Sequence, residues 1–77
     1  MKLQVTNIER NLGLEDFRKL FEKFGPLEEC TLVMDQKTGK SKGFGFVVIA
    51  DKKSAHIAKN SLDGRLVNGK MLKVKIC

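Results

Sequence analysis

Lys42-Gly43-Phe44-Gly45-Phe46-Val47-Val48-Ile49 is the stretch on which the fold turns. Its Phe, Val and Ile content predicts a β-strand over 43–50. Successive side chains on a strand point to opposite faces. Gly45, Val47 and Ile49 therefore share one face, and Phe44, Phe46 and Val48 share the other. Both faces are apolar, so the strand needs a partner on each side or a reason to leave one bare.

The flanking sequence supplies cover for one side. Upstream, Leu3-Gln4-Val5-Thr6-Asn7-Ile8 alternates apolar and polar residues and predicts a first strand. Leu14, Phe17, Leu20, Phe21 and Phe24 recur at helical spacing among charged residues, the pattern of an amphipathic helix. Gly13 is its expected N-cap, Glu15 and Asp16 suit the positive end of its dipole, and Gly25-Pro26 stops it. A second strand is predicted over 29–34, with Cys30, Leu32 and Met34 on one face, followed by a polar loop over 35–41. Downstream, a second helix over 51–61 carries Ala55, Ala58 and Leu62 as its apolar line. Asn68-Gly69 between Leu66-Val67 and Lys70-Met71 is a two-residue hairpin signal. Leu72-Lys73-Val74-Lys75-Ile76 alternates as the last strand. The order strand–helix–strand–strand–helix–strand predicts an α+β fold, a ferredoxin-like βαββαβ sandwich. Its four-stranded antiparallel sheet carries both helices on one face.

Two short helices cover one face of such a sheet and not both. The outer strands obey that rule: Leu3, Val5, Leu72, Val74 and Ile76 point in, while Gln4, Thr6, Lys73 and Lys75 point out. If Val47 and Ile49 meet the helices, Phe44 and Phe46 stand at the centre of the open face. Two adjacent exposed phenylalanines call for a ligand. Flat aromatic faces stack on nucleic-acid bases, and phosphates would then meet Lys42, Lys73, Lys75 and the loop residues Lys37 and Lys40. The competing reading buries both rings under a protein partner, a second copy or a further segment.

Composition bounds these readings. Seventy-seven residues make one small domain, expected over 1–77, with little room for an enclosing substrate pocket. The first residues carry no signal-peptide core and begin a strand at once, as expected of a domain excised from a longer chain. No apolar run approaches the roughly 20 residues of a membrane span. Net charge is +6, but residues 1–34 sum to −1 and residues 35–77 to +7. A local cationic excess suits an anionic partner. Cys30 and Cys77 make no short-spaced metal pair, so neither a metal nor a disulfide framework is expected and a reducing compartment is the default. Cys30 is expected as a small core residue.

At this point the residues match a family. Residues 42–49 resemble the ribonucleoprotein octamer of RNA-recognition motifs, K/R-G-F/Y-G/A-F-V-x-F/Y, at seven of eight positions, with Ile49 replacing the last aromatic. Residues 3–8 resemble the shorter hexamer of the first strand. Asp35, Thr38-Gly39-Lys40-Ser41, Leu62-Asp63-Gly64 and the Asn68-Gly69 hairpin also stand where the family has such residues. The resemblance implies a sheet whose aromatics stack two or three bases. It gives that role to Phe44 and Phe46. Gln4 occupies the position where the hexamer usually has a third aromatic, and Lys59 one where the second helix is usually apolar.

The function expected is non-catalytic binding of single-stranded RNA in an intracellular setting, nuclear or cytoplasmic, with no cofactor. Phe44 and Phe46 would stack bases. Lys42, Lys40, Lys73 and Lys75 would pair with phosphates or bases, and Gln4, Thr6, Thr31 and Val33 would tune preference from the same face. Asn7 would fix a turn or touch RNA. A monomer is expected. Single-stranded DNA remains an alternative because stacking ignores the sugar; duplex DNA does not suit a broad flat face. Members of the family also bind proteins of larger ribonucleoproteins, and the missing hexamer aromatic makes a protein-interaction module the leading rival. An enzyme is the third class. His56 has no nucleophile or acid at a recognisable spacing, and Gly39-Lys40-Ser41 lacks the earlier glycine and following helix of a phosphate loop.

Overall fold

The computed structural model describes all of residues 1–77. The chain runs β1 (Lys2–Thr6), α1 (Leu14–Glu22), β2 (Leu27–Met34), β3 (Ser41–Ile49), α2 (Lys52–Leu62), β4 (Leu66–Val67), β5 (Lys70–Met71) and β6 (Lys73–Ile76). Four strands form one antiparallel sheet in the order β2-β3-β1-β6, and β4 and β5 form a separate hairpin. The apolar octamer strand β3 is therefore central, as its two apolar faces require.

One core holds the layers together. Leu3 and Val5 of β1, Val47 and Ile49 of β3, and Val74 of β6 meet Phe17 and Phe21 of α1 and Ala55, Ala58 and Leu62 of α2. Phe17 and Phe21 are fully buried and touch edge to face, with ring centroids 5.4 Å apart. Such a pair adds about 0.5–1.5 kcal/mol beyond its buried area. Gly45 is fixed by this layer. A Cβ there would stand 3.2 Å from the Phe17 ring and overlap the main-chain carbonyl of Thr31 on β2. The glycine thus lets α1 seat against the sheet at its centre.

The ends of the elements have local causes. Asp51 caps α2: its carboxylate accepts the backbone N–H groups of Lys53 and Ser54 and the Ser54 hydroxyl at 2.7 Å. That hydroxyl contact is the largest of the effects holding the Asp51 carboxyl below its ordinary value. Asn68 and Gly69 both adopt positive φ, the signature of a type I′ turn, and join β4 to β5.

The structure departs from the sequence reading in several details. β1 ends at Thr6 because Asn7 turns to φ 60, a left-handed conformation that breaks the pleat. The alternation of β2 assigns Met34 to the core face with Cys30 and Leu32. It is exposed instead, at the last position of β2, where the pairing with β3 shifts by two residues between Leu32–Gly45 and Met34–Ser41. β2 also starts earlier, at Leu27, with a second irregular step before Glu29. Leu14, in the first turn of α1, lies at the rim of a shallow depression with Arg18 and Cys30 rather than in the core. Ile76 is 39% exposed at the last position of an edge strand. Cys30 packs against the core from its edge, and burial pushes its thiol pKa up.

The free edge of the sheet at β6 is occupied by the chain itself. The Leu72 carbonyl accepts the Gly64 N–H at 2.7 Å, and the Leu72 N–H donates to the Arg65 carbonyl at 2.9 Å. The Val74 N–H donates to the Asp63 carboxylate at 2.9 Å.

Candidate nucleic-acid interface

The face opposite the helices is a small grid set by strand register. Its middle row runs Thr31 on β2, Phe46 on β3, Gln4 on β1 and Lys75 on β6, each paired directly with the next. Thr6 faces Lys73 one row on, and Phe44 follows one step past the Val5–Gly45 pair, level with Thr6. The row on the other side is Glu29, Val48 and Lys2. Neither Phe44 nor Phe46 belongs to the core; both are half-buried. Their centroids are 6.5 Å apart and their planes 88° apart, so the two rings meet edge to face. The geometry offers two apolar ring surfaces beside a polar amide and two exposed lysines.

Lys2 is a member of this face that the sequence reading does not include. Its ammonium lies 4.6 Å from the centroid of Phe46. An ammonium over an aromatic face at that range is a cation–π contact, worth about 0.5–1 kcal/mol at an exposed site. The period-2 pattern carries the signal: Lys2 precedes Gln4 and Thr6 on the same side of β1.

Phe44, Phe46, Gln4, Thr6, Thr31, Lys73 and Lys75 thus come together on one surface. Lys42 and Lys40 lie beside it, lining a depression that opens past Phe44. Val33 falls within the irregular step of β2 and has no direct partner on β3. Asn7 takes the turn role: its side-chain amide donates to the Met71 carbonyl at 2.7 Å and ties the end of β1 to the hairpin. His56 is exposed on α2, away from the sheet.

Gly43 shapes the approach to the rings. Its φ is +94, and a Cβ there would stand 3.3 Å from the Ile8 carbonyl. The Ile8 N–H donates to the Gly43 carbonyl at 2.9 Å, drawing the segment after β1 against the start of β3. The octamer glycines are therefore backbone requirements, one for φ and one for packing.

The RNA recognition motif family matches residues 3–73 of this sequence. The chain belongs to the RNA recognition motif family. Curated relatives agree. It is 42% identical over 73 residues to Multiple RNA-binding domain-containing protein 1 of Saccharomyces cerevisiae, covering 95% of this chain and 8% of that protein. It is 43% identical over 72 residues to a serine/arginine-rich SC35-like splicing factor of Arabidopsis thaliana, covering 94% of this chain and 25% of that one. The recognition motif therefore spans a quarter or less of the length of these relatives. Among solved structures, the Rna15 recognition motif with bound GU RNA superposes with a TM-score of 0.92 at 25% identity, over 99% of this chain and 81% of that one. The Sxl-lethal protein/RNA complex superposes with a TM-score of 0.91 at 30% identity, over 99% of this chain and 46% of that one.

Proposed function

We propose that residues 1–77 form one non-catalytic domain that binds about two to four nucleotides of single-stranded RNA on the open sheet face. The observation that carries this reading is the half-exposed pair Phe44 and Phe46 on the layer that no helix covers. Each ring stacks a base, at about 1–3 kcal/mol per base. Lys73 and Lys75, exposed on β6, neutralise phosphates, with Lys42 at the opposite side of the platform. Gln4 pairs with both Phe46 and Lys75, so its amide meets the edge of a base where an aromatic would have offered a ring. Thr6 and Thr31 border the same bases, and Val33 adds an apolar margin. Two of the solved relatives are complexes with RNA, which supports the same partner here. The splicing relative supports a nuclear setting.

A protein-interaction role is the second reading, favoured by Gln4 in place of an aromatic. The two separate by titrating the domain with short randomised RNA pools and following backbone amide resonances. RNA binding moves the signals of β1, β3 and β6 around Phe44 and Phe46, and its affinity falls with salt at a slope near −0.7 per phosphate contacted. Resonances that stay still, or that move only on the helices, overturn the RNA reading.

A further inference from the structure

The apolar margin beyond β6 has no part in the RNA reading. An open depression of about 700 Å³, within the roughly 300–1,000 Å³ range of ligand sites, wraps over that margin between the last turn of α2 and the end of the hairpin. Its apolar lining includes Met71 and Ile76, both exposed, and the buried Val74. The hairpin extends this surface, because Leu66, 66% exposed, pairs directly opposite Met71 and shares its face. Large apolar side chains gathered in water on so small a domain mark an interaction site.

Lys59 decides what can cover the groove. It comes from α2 at a position usually apolar in the family, and it is half-buried. Leu62 and Asp63, three and four residues on, turn to the core and to β6, so Lys59 leaves the helix on that same side. Its ammonium has no carboxylate partner: Arg18 is the only cation in a salt bridge anywhere in the molecule. Asp63, the one acidic residue on the groove, accepts the Val74 N–H at 2.9 Å. A partner that lays apolar side chains on Met71 and Ile76 takes Lys59 out of water. An ammonium covered without a counter-charge opposes that burial, so the partner has to bring a carboxylate.

The main chain decides the partner's shape. An extended segment arriving at this margin finds both Leu72 groups and the Val74 amide already taken, by Gly64, Arg65 and Asp63. An amphipathic helix needs no main-chain partners and reads a groove through side chains at i, i+3, i+4 and i+7. The groove is also held in shape beforehand, since the Asn7 amide donates to the Met71 carbonyl at 2.7 Å.

We propose that the groove between α2 and β6 docks an acidic amphipathic helix of a protein partner. Its apolar side chains cover Met71 and Ile76, and one of its carboxylates pairs with Lys59. The site lies apart from the Phe44 and Phe46 platform and does not depend on the RNA reading, although Lys73 and Lys75 border both surfaces.

The test uses two labelled peptides of about five helical turns, with Leu at i, i+3, i+4 and i+7. One carries Glu beside that stripe and the other Gln. Fluorescence anisotropy gives affinities, and backbone amide resonances give the site. Wild type binds the Glu peptide more tightly than the Gln peptide, with shifts at Lys59, Gly64, Met71 and Ile76. K59L keeps the fold, as thermal melting checks, and cuts the Glu preference by about tenfold, the worth of one charge-assisted hydrogen bond. K52L, on the exposed start of α2, removes the same charge and leaves the preference intact. M71Q weakens both peptides by about fivefold. The proposal is overturned if neither peptide binds, if K59L keeps the preference, if K52L reproduces the K59L effect, if M71Q changes nothing, or if the shifts fall on Phe44 and Phe46. Two other occupants would overturn it as well. A random octanucleotide RNA pool that loses as much affinity in M71Q makes the groove part of the nucleic-acid surface. Shifts at Met71 and Ile76 on dilution of the chain alone make it a contact between two copies.

Discussion

Replacing Phe46 with Ala separates a binding platform from a core residue, because its counterpart Phe17 offers the same deletion on the other face of the sheet. Phe17 is fully buried. Its removal costs about 3–5 kcal/mol, the usual range for a core Phe→Ala change. Phe46 is half-buried and has two identifiable partners, the edge-to-face ring of Phe44 at 6.5 Å and the Lys2 ammonium at 4.6 Å. The first contributes about 0.5–1.5 kcal/mol and the second about 0.5–1 kcal/mol, so F46A loses about 1–2.5 kcal/mol. A domain of this size shifts its melting temperature by about 4–8 °C per kcal/mol, and F46A remains folded at room temperature. Its RNA affinity should drop by about 1–3 kcal/mol, which is about 5- to 150-fold. Thermal melting followed by circular dichroism reads the first quantity, and fluorescence anisotropy with labelled RNA reads the second. An F46A protein that melts like F17A would place the ring in the core. An F46A protein that binds RNA as wild type does would remove the ring from the platform. Either outcome refutes the reasoning.

Three further changes test separate links. Gly45→Ala forces a methyl against the Phe17 ring and the Thr31 carbonyl, and urea titration should register a loss of about 1–3 kcal/mol, as for other overpacked sites; unchanged stability would mean that the layers part freely there. Gln4→Tyr puts a third ring beside Phe46 and should tighten RNA binding by about 1–3 kcal/mol in an anisotropy titration; unaltered affinity would show that no base reaches β1. Asp51→Ala removes the cap of α2 and lowers the melting temperature at neutral pH. The folded carboxyl titrates below the unfolded value of about 3.9, so the wild-type advantage is full above about pH 4 and shrinks as pH falls through the lowered value; a gap that persists into strong acid would contradict the Ser54 contact as its source.

Much of this architecture is legible in residue patterns, because burial enforces them. Val47 and Ile49 have to face the helices, and the alternation of β1 and β6 then places Gln4, Thr6, Lys73 and Lys75 around Phe44 and Phe46. The spacing of Phe17 and Phe21 names the inner helix face for the same reason. Features that depend on main-chain geometry are harder to read. The turn of Asn7 to positive φ, which shortens β1, looks in sequence like one more polar residue in an alternating run. The irregular step between Leu32 and Met34, at the exposed end of β2, leaves no mark on an apolar–polar pattern. The depression past Phe44 is least legible, since Arg10, Lys42 and Lys70 are far apart in sequence and are brought to it by the Ser41–Arg10 main-chain bond and the Asn7 side-chain amide. Lys2 is within reach of the period-2 argument that finds Gln4.

The hydrogen bonds at the outer side of the last strand bear on how such a domain behaves among many copies. A bare strand margin is a template that recruits extended segments from other molecules. Here Gly64 and Arg65 take both main-chain groups of Leu72, and the Asp63 carboxylate occupies the amide of Val74. An incoming chain would have to break those bonds before it could extend the sheet from that end. Three consecutive residues after α2 thus act as a selvedge, keeping the sheet from growing at the margin nearest Lys73 and Lys75.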